Sequence, residues 1–272
     1  MLRDTKQLKI RVSFIEYLNS VPLGWGFLNG PYKDVFDLTF DKPSQCAEHL
    51  SKGEVDVGLI PVIEYQRIPD LLVLPDISIS SKHKVKSVLF VSKKPLERIK
   101  RIAVDSSSRT SVALLQILVE KFYNISSVRY YTEPPNLAKM LELYDAALII
   151  GNAAFPVPSG PYDVYDLAYE WNRFTGLPFV FAFWAVRPKI DLKEQFEVFY
   201  QSREQGLNEV DQISDMYAEK LGVSSSDIRD YILNSLDYSL DQSNLRGLST
   251  FFEIAVDMKI IPHAVPINFY SY

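Results

Sequence analysis

The hydrophobic pattern switches repeatedly between a period of two and a period near 3.6. Ile10, Val12 and Phe14 alternate with polar residues, which predicts a half-buried strand. The stretch Tyr17-Leu18-Asn19-Ser20-Val21-Pro22 follows, with Ser20 placed to cap a helix and Pro22 tolerated in its first turn. Residues 36–40 read as a strand, 44–51 as a helix stopped by Gly53, and 55–60 as a buried strand. More strand material lies at 71–74, 77–79 and 85–92, ahead of Lys93-Lys94-Pro95.

Beyond that proline the pattern restarts. A strand is predicted at 102–104, a polar loop at 105–109, and a helix at 110–122 with Leu115, Leu118, Val119 and Phe122 on one face. Strand 128–131, helix 137–143 and strand 146–150 follow, and then a long apolar run, 178–186, ended by Arg187-Pro188. From Leu192 onward the pattern is helical, at 192–204, 213–221, 227–236 and 245–258. Alternating strands and helices imply the α/β class. The breaks near Pro95 and Arg187 divide the chain into a larger lobe, residues 1–93 plus 187–272, and a smaller inserted α/β lobe, residues 94–186. The strands at 87–92 and 178–186 would then cross between the lobes, with a ligand cleft between them. That is the two-lobed, hinge-closing architecture of periplasmic binding proteins. A single doubly wound sheet is the alternative.

Composition narrows the function classes. With 47% hydrophobic and 23% charged residues the chain has material for a core and is neither disordered nor a coiled coil. Lys+Arg number 29 against 34 Asp+Glu, a net charge of -5 without a basic stripe, so nucleic acid and an anionic membrane are not expected partners. One cysteine, Cys46, and three scattered histidines leave no internal disulfide and little for a metal site. Residues 1–11 lack the roughly 7–15 apolar residues of an export signal, and the apolar run at 177–186 is far short of the ~20 that span a bilayer. The expectation is a reduced, cytoplasmic protein that uses no metal or cofactor.

Several motifs can be set aside. Gly24, Gly26 and Gly30 form a G-x-G-x-x-x-G string, but Asn19 to Pro22 separate it from the strand and bulky Trp25 and Phe27 fill it, so it reads as a helix with small packing positions. No phosphate loop, nucleophile elbow or H-E-x-x-H motif occurs. Cys46 reads as a packed thiol.

What survives is suited to an anion. Asp105-Ser106-Ser107-Ser108-Arg109-Thr110-Ser111 joins a strand to a helix, whose free N–H groups and partial positive charge attract a carboxylate or phosphate. The simpler alternative is that one hydroxyl merely caps the helix. Gly151-Asn152-Ala153-Ala154 follows the 146–150 strand, as a plain turn or as small residues that admit a ligand at a strand's carboxyl end. Tyr17, Asn19 and Ser20 follow another strand, and Ser87 lies on an expected crossover. These residues outline a cleft of hydroxyls, amides and helix ends without an evident acid–base pair.

Six stretches in order carry a family resemblance: Tyr-Leu-Asn-Ser-Val-Pro (17–22), Asp-Val-Gly-Leu-Ile-Pro (56–61), Ser-Val-Leu-Phe-Val-Ser (87–92), Asp-Ser-Ser-Ser-Arg-Thr-Ser (105–111), Ile-Gly-Asn-Ala-Ala (150–154) and Thr-Gly-Leu-Pro-Phe-Val-Phe-Ala-Phe-Trp (175–184). The chain resembles the chorismate dehydratases of the futalosine route to menaquinone. The resemblance implies a cytoplasmic, cofactor-free enzyme of type II periplasmic-binding-protein fold that removes water from the dicarboxylate chorismate. It implies that the substrate's own enolpyruvyl carboxylate takes the ring proton. By the same resemblance Asn19 and Ser87 are catalytic, Thr110 and Ser111 are suited to a substrate carboxylate, and Tyr17, Ser20, Ser108, Arg109, Gly151 and Asn152 are substrate-binding. One departure stands out: Asn152 occupies a position where the family is expected to carry Asp. Two alternatives have different signatures. The related dihydroxynaphthoate synthase would carry a Ser-Pro-Asn-Asp-Thr-like stretch where Tyr17 to Pro22 stands, and a small-carboxylate solute-binding protein would carry an export signal. A transcription-factor effector domain would need a DNA-binding module, for which residues 1–9 are too few.

Overall fold

The computed structural model describes residues 9–156 and 160–271. Residues 1–8, on which the expectations about an export signal and a DNA-binding module partly rest, lie outside the described residues.

Among the described residues ten strands form two five-stranded sheets. The first contains β1 (Arg11–Ile15), β2 (Asp37–Asp41), β3 (Val57–Pro61), β4 (Leu72–Ser81) and β10 (Phe179–Val186), in the order β2-β1-β3-β10-β4. The second contains β5 (Val88–Ser92), β6 (Arg101–Asp105), β7 (Arg129–Glu133), β8 (Ala146–Ile150) and β9 (Asp163–Asp166), in the order β7-β6-β8-β5-β9. In each sheet three neighbouring strands run parallel, and one strand, β10 in the first and β5 in the second, is antiparallel to both of its neighbours. β3, β5, β8 and β10 are buried along their whole length, which is why they read as continuous apolar runs rather than alternating ones.

Helices α1 (Val21–Leu28), α2 (Pro43–Lys52) and α3 (Val62–Tyr65) each follow a parallel strand of the first sheet. α2 opens on a proline and stops at Gly53, whose φ of 74° suits a residue without Cβ. The second lobe adds α4 (Thr110–Gln116), α5 (Leu137–Leu143) and α6 (Leu167–Thr175). The C-terminal helices α7 (Gln195–Asn208), α8 (Val210–Leu221), α9 (Ser225–Asp230) and α10 (Gln242–Asp257) return to the first sheet, α7 against α1 and α10 against β10. The Gly24 string is a packing device, since a Cβ at Gly24 would sit 2.5 Å from the Phe14 ring.

Sheet membership moves the expected lobe boundaries. β5, expected in the larger lobe, pairs with β8 and β9 in the second sheet, and β10, expected in the smaller lobe, lies in the first sheet between β3 and β4. The chain therefore crosses between the sheets at 82–87 and 176–178, and neither strand is itself the crossover. Asp166 fixes the first crossing: it accepts from the N–H groups of Val85 and Lys86 while capping α6 through Ala168 and Tyr169. Other differences are local. The stretches 71–74 and 77–79 join into one strand, the 110–122 helix widens to π geometry from Ile117, and β9 with α6 fills a region where the sequence pattern predicts no element.

Candidate active site

The carboxyl ends of the parallel strands of both sheets face one another. β1 ends at Ile15, β2 just before Pro43, β3 at Pro61, β6 just before Ser108 and β8 at Ile150. Open α/β sheets bind ligands at such ends. Here they enclose a cavity between the lobes. Ile15, Tyr17, Asn19, Pro43, Pro61, Ile79, Phe181 and Ala182 line it from the first lobe, and Val88, Ser108, Arg109, Thr110, Ser111, Ile150 and Gly151 from the second. Adjacent residues Phe181 and Ala182 both reach it because β10 slips register against β4 between Val180 and Ala182, and such irregularities re-aim side chains. About 50 Å³ of the cavity is open to the centres of water molecules, against roughly 300–1,000 Å³ for a small-molecule site, so the lobes are closed on one another.

Seven of the residues expected from sequence come together here: Tyr17, Asn19, Ser108, Arg109, Thr110, Ser111 and Gly151. Asn19 Oδ1 and Ser108 Oγ are buried and have no hydrogen-bond partner. A buried polar atom left unpaired costs about 1–3 kcal/mol, so a folded protein keeps one for a reason. Ser108, Thr110 and Ser111 are all at most 5% exposed, while Arg109 is exposed. Gly151, at φ 61°, lies against the Tyr17 ring, where an added Cβ would approach within 2.5 Å. Only glycine lets the β8 turn pass that close.

Three expected residues do not line the cavity. Ser20 occupies the capping position of α1, yet its buried hydroxyl donates to the carbonyls of Ile15 (2.6 Å) and Tyr17 (2.7 Å), which shapes the loop and leaves the helix uncapped by its side chain. Ser87, placed at the cleft by the sequence reading, is fully buried and accepts from the Tyr231 hydroxyl at 2.7 Å. Its carbonyl also accepts from the Gly151 N–H at 2.8 Å. Asn152 Oδ1 accepts from the Leu18 N–H at 2.9 Å. The amide therefore meets the acceptor need a carboxylate would meet, and does so without a charge.

Three bonds cross directly between the lobes at this site. Besides Leu18 to Asn152, the Ile63 N–H donates to Thr110 Oγ1 at 3.2 Å, and the Tyr17 hydroxyl meets Ser107 Oγ at 2.9 Å. Sequence reasoning missed Ser107 as distinct from its neighbours, because three consecutive serines look alike in sequence. It also missed the apolar lining. Burial pushes the Tyr17 phenol up to about 12, partly offset by its bond to Ser107. Burial likewise raises the Asp105 carboxyl above the usual carboxylate range, against the bonds it accepts from Ser107 and Ile150. Among the described residues no three of His, Cys, Asp and Glu come together as a metal site, and no helix is long and apolar enough to cross a membrane.

Two open sheets with a small cavity between them, walled by apolar side chains and hydroxyls at their facing strand ends, define a periplasmic-binding-protein-like fold. Solved structures agree: a protein of Archaeoglobus fulgidus matches at a TM-score of 0.73 and 17% identity, over 93% of this chain and 98% of that one. The periplasmic aliphatic sulphonate binding protein of Escherichia coli matches at 0.65 and 13% identity, over 97% and 94%. Sequence narrows the class further. A family described as menaquinone biosynthesis matches residues 10–257, and the chain belongs to it. It is similar to a chorismate dehydratase of Thermus thermophilus, 30% identical over 243 residues, which is 82% of this chain and 88% of that protein. It is also 26% identical over 244 residues to a chorismate dehydratase of Campylobacter jejuni, covering 87% and 93%.

Proposed function

We propose that this chain is a chorismate dehydratase, a hydro-lyase of the cytoplasm that eliminates water from chorismate to give 3-[(1-carboxyvinyl)oxy]benzoate. The observation that carries the reading is the pair of buried, partnerless oxygens, Asn19 Oδ1 and Ser108 Oγ, on residues that line one interlobe cavity. The family match and the names of its relatives supply the substrate.

The reaction needs little from the protein beyond placement. Loss of the ring hydroxyl and a ring proton aromatises the diene, so the driving force lies in the substrate. The enolpyruvyl carboxylate accepts the ring proton, and the lobes supply orientation, desolvation and hydrogen bonds. Asn19, amphoteric and uncharged, holds the departing oxygen. Thr110 accepts from Ile63, so its own proton is free for a substrate carboxylate, and Ser111 and Ser108 stand beside it. Ser87 does not line the cavity in the closed state, and we assign it the placing of Gly151 through its carbonyl. Admission of substrate requires the lobes to part.

The test is incubation of purified protein with chorismate, read by mass spectrometry for the benzoate product. Stoichiometric binding with chorismate recovered unchanged would replace this reading with a solute-binding one.

A further inference from the structure

One buried chain of hydrogen bonds at the site has no part in the mechanism above. Ser107 Oγ donates to Asp105 Oδ1 at 2.6 Å, and the Ser107 N–H donates to the same oxygen at 2.9 Å. The Tyr17 hydroxyl meets Ser107 Oγ at 2.9 Å. Asp105 and Ser107 are each 1% exposed, and Tyr17 is the member that lines the interlobe cavity. A serine hydroxyl has one proton, so the direction of the chain follows from where that proton goes. With Asp105 ionised it runs from Tyr17 through Ser107 to the carboxylate. With Asp105 protonated it reverses, and the phenol proton is released from Ser107 for another acceptor.

We propose that Tyr17, Ser107 and Asp105 form a proton relay that delivers a proton from the second lobe to the oxygen leaving as water. The relay rests on the dehydratase reading and completes its proton balance. As the ring carbon–oxygen bond breaks, its electron pair leaves with the oxygen, which takes the Tyr17 proton. Tyr17 takes the Ser107 proton, and Ser107 takes the proton of the Asp105 carboxyl. The ring C–H proton passes to the enolpyruvyl carboxylate, and the electrons of that bond complete the aromatic ring. The proton carried away by the product is replaced on Asp105 from solvent, so each cycle releases only water and the benzoate. Burial moves Asp105 toward the neutral carboxyl of the starting state, against the bonds it accepts from Ser107 and Ile150. Because Tyr17 and Ser107 belong to opposite lobes, the relay is connected only when the lobes are closed. Tyr17 is then the catalytic residue, while Ser107 and Asp105 are positioning residues that act through it.

The experiment compares single-turnover rates of wild type, Tyr17→Phe, Ser107→Ala and the double variant with chorismate, in H2O and D2O. Tyr17→Phe keeps the ring that packs on Gly151 and removes only the terminal hydroxyl. Each single variant is expected to lose roughly 10²-fold in turnover, in line with loss of an acid–base group, with KM little changed. The double variant should be no slower than either single one, and the solvent isotope effect of the wild type should shrink in all three. Turnover of Ser107→Ala at the wild-type rate, or additive losses in the double variant, would overturn the relay and leave the dehydratase reading standing. A wild type inert toward chorismate would overturn both.

Discussion

The two walls of the interlobe cavity are chemically unlike. The first lobe presents Ile15, Pro43, Pro61, Ile79, Phe181 and Ala182, with only Tyr17 and Asn19 as polar groups. The second presents four consecutive polar residues, Ser108 to Ser111, and the backbone of Gly151, with only Val88 and Ile150 as apolar side chains. An apolar wall supplies shape and excludes water, and a hydroxyl-rich wall at a helix start supplies donors for anions. The division explains why neither lobe alone would be a competent site. A ring held by the first wall and carboxylates held by the second meet only when the lobes close. The first lobe's backbone donors at Leu18 and Ile63 find their acceptors, Asn152 and Thr110, on the second lobe, so the closed state carries its own bonds.

If this division holds, the largest effect falls on the polar exception in the first wall. Asn19→Ala should lose about 10²–10³ in turnover, the usual cost of an oxyanion donor, while melting temperature and chorismate affinity stay near wild type. Asn19→Asp should fare no better, since it adds a negative charge beside a dicarboxylate in a desolvated site. Single-turnover kinetics and a binding titration on the same preparations separate the two quantities. A loss of affinity with turnover intact would reverse the roles of the walls.

The second lobe's frame supplies the next effect. Asp145 accepts from Lys94 Nζ at 2.7 Å and from the N–H groups of Lys100 and Arg101, each at 2.9 Å, and so anchors the start of β6. Although burial opposes it, these bonds bring the carboxyl down to about 2. A carboxyl whose folded value lies below its unfolded one contributes stability above the unfolded value, near 3.9, and loses it as pH falls through the folded value. Asp145→Asn should therefore cost about 2 kcal/mol at neutral pH and flatten the decline in melting temperature between roughly pH 4 and 2. An unchanged acid limb would mean that Asp145 is not what acid releases.

The second wall's own hydroxyls come next. Thr110→Ala combined with Ser111→Ala should weaken chorismate binding by about tenfold or more, since even one charge-assisted bond contributes roughly 1.5–3 kcal/mol net of water. Calorimetry against folded protein reads this directly. Unchanged affinity would mean that Thr110 serves only to accept from Ile63.

How much of this was legible in sequence differs between the same two regions. The α/β class and most strands follow from short apolar runs, and the 105–111 loop and Gly151 were recognisable because strand, polar loop and helix stand next to one another in the chain. The first wall was largely illegible. Phe181 and Ala182 sit in a run that is buried throughout, where no alternation tells which residue faces a cavity. The same lack of a face put β5 and β10 in the wrong lobes, because antiparallel partners distant in sequence decide their sheets. β9 was missed for the opposite reason: a four-residue edge strand, Asp-Val-Tyr-Asp, with two of its residues exposed, is too short and too polar to show an alternating apolar face. Ser20 and Ser87 were sorted by chemistry when only their environment, carbonyls in one case and Tyr231 in the other, settles where the hydroxyl points.

The smallest expected effect concerns the bond that brings the unlike walls together. Asn152 Oδ1 takes the Leu18 N–H across the gap, and a net hydrogen bond of this kind contributes about 0.5–1.5 kcal/mol. Asn152→Ala removes the acceptor, so the closed-to-open ratio of the free protein should fall by a factor of roughly 2–10. Small-angle scattering of the free variant should then show a larger radius of gyration than wild type, and a saturating product-like dicarboxylate should restore much of the compaction, because a ligand touching both walls stabilises the closed form by its own contacts. Asn152→Asp separates closure from charge. Its carboxylate still accepts from Leu18, so the free protein should stay as compact as wild type, but a charge next to Gly151 should weaken binding of a dianion. Expansion in Asn152→Asp equal to that in Asn152→Ala would show that the amide is needed for more than its oxygen. Identical profiles for wild type and Asn152→Ala would show that the remaining bonds, Ile63 to Thr110 and Tyr17 to Ser107, hold the walls together without it.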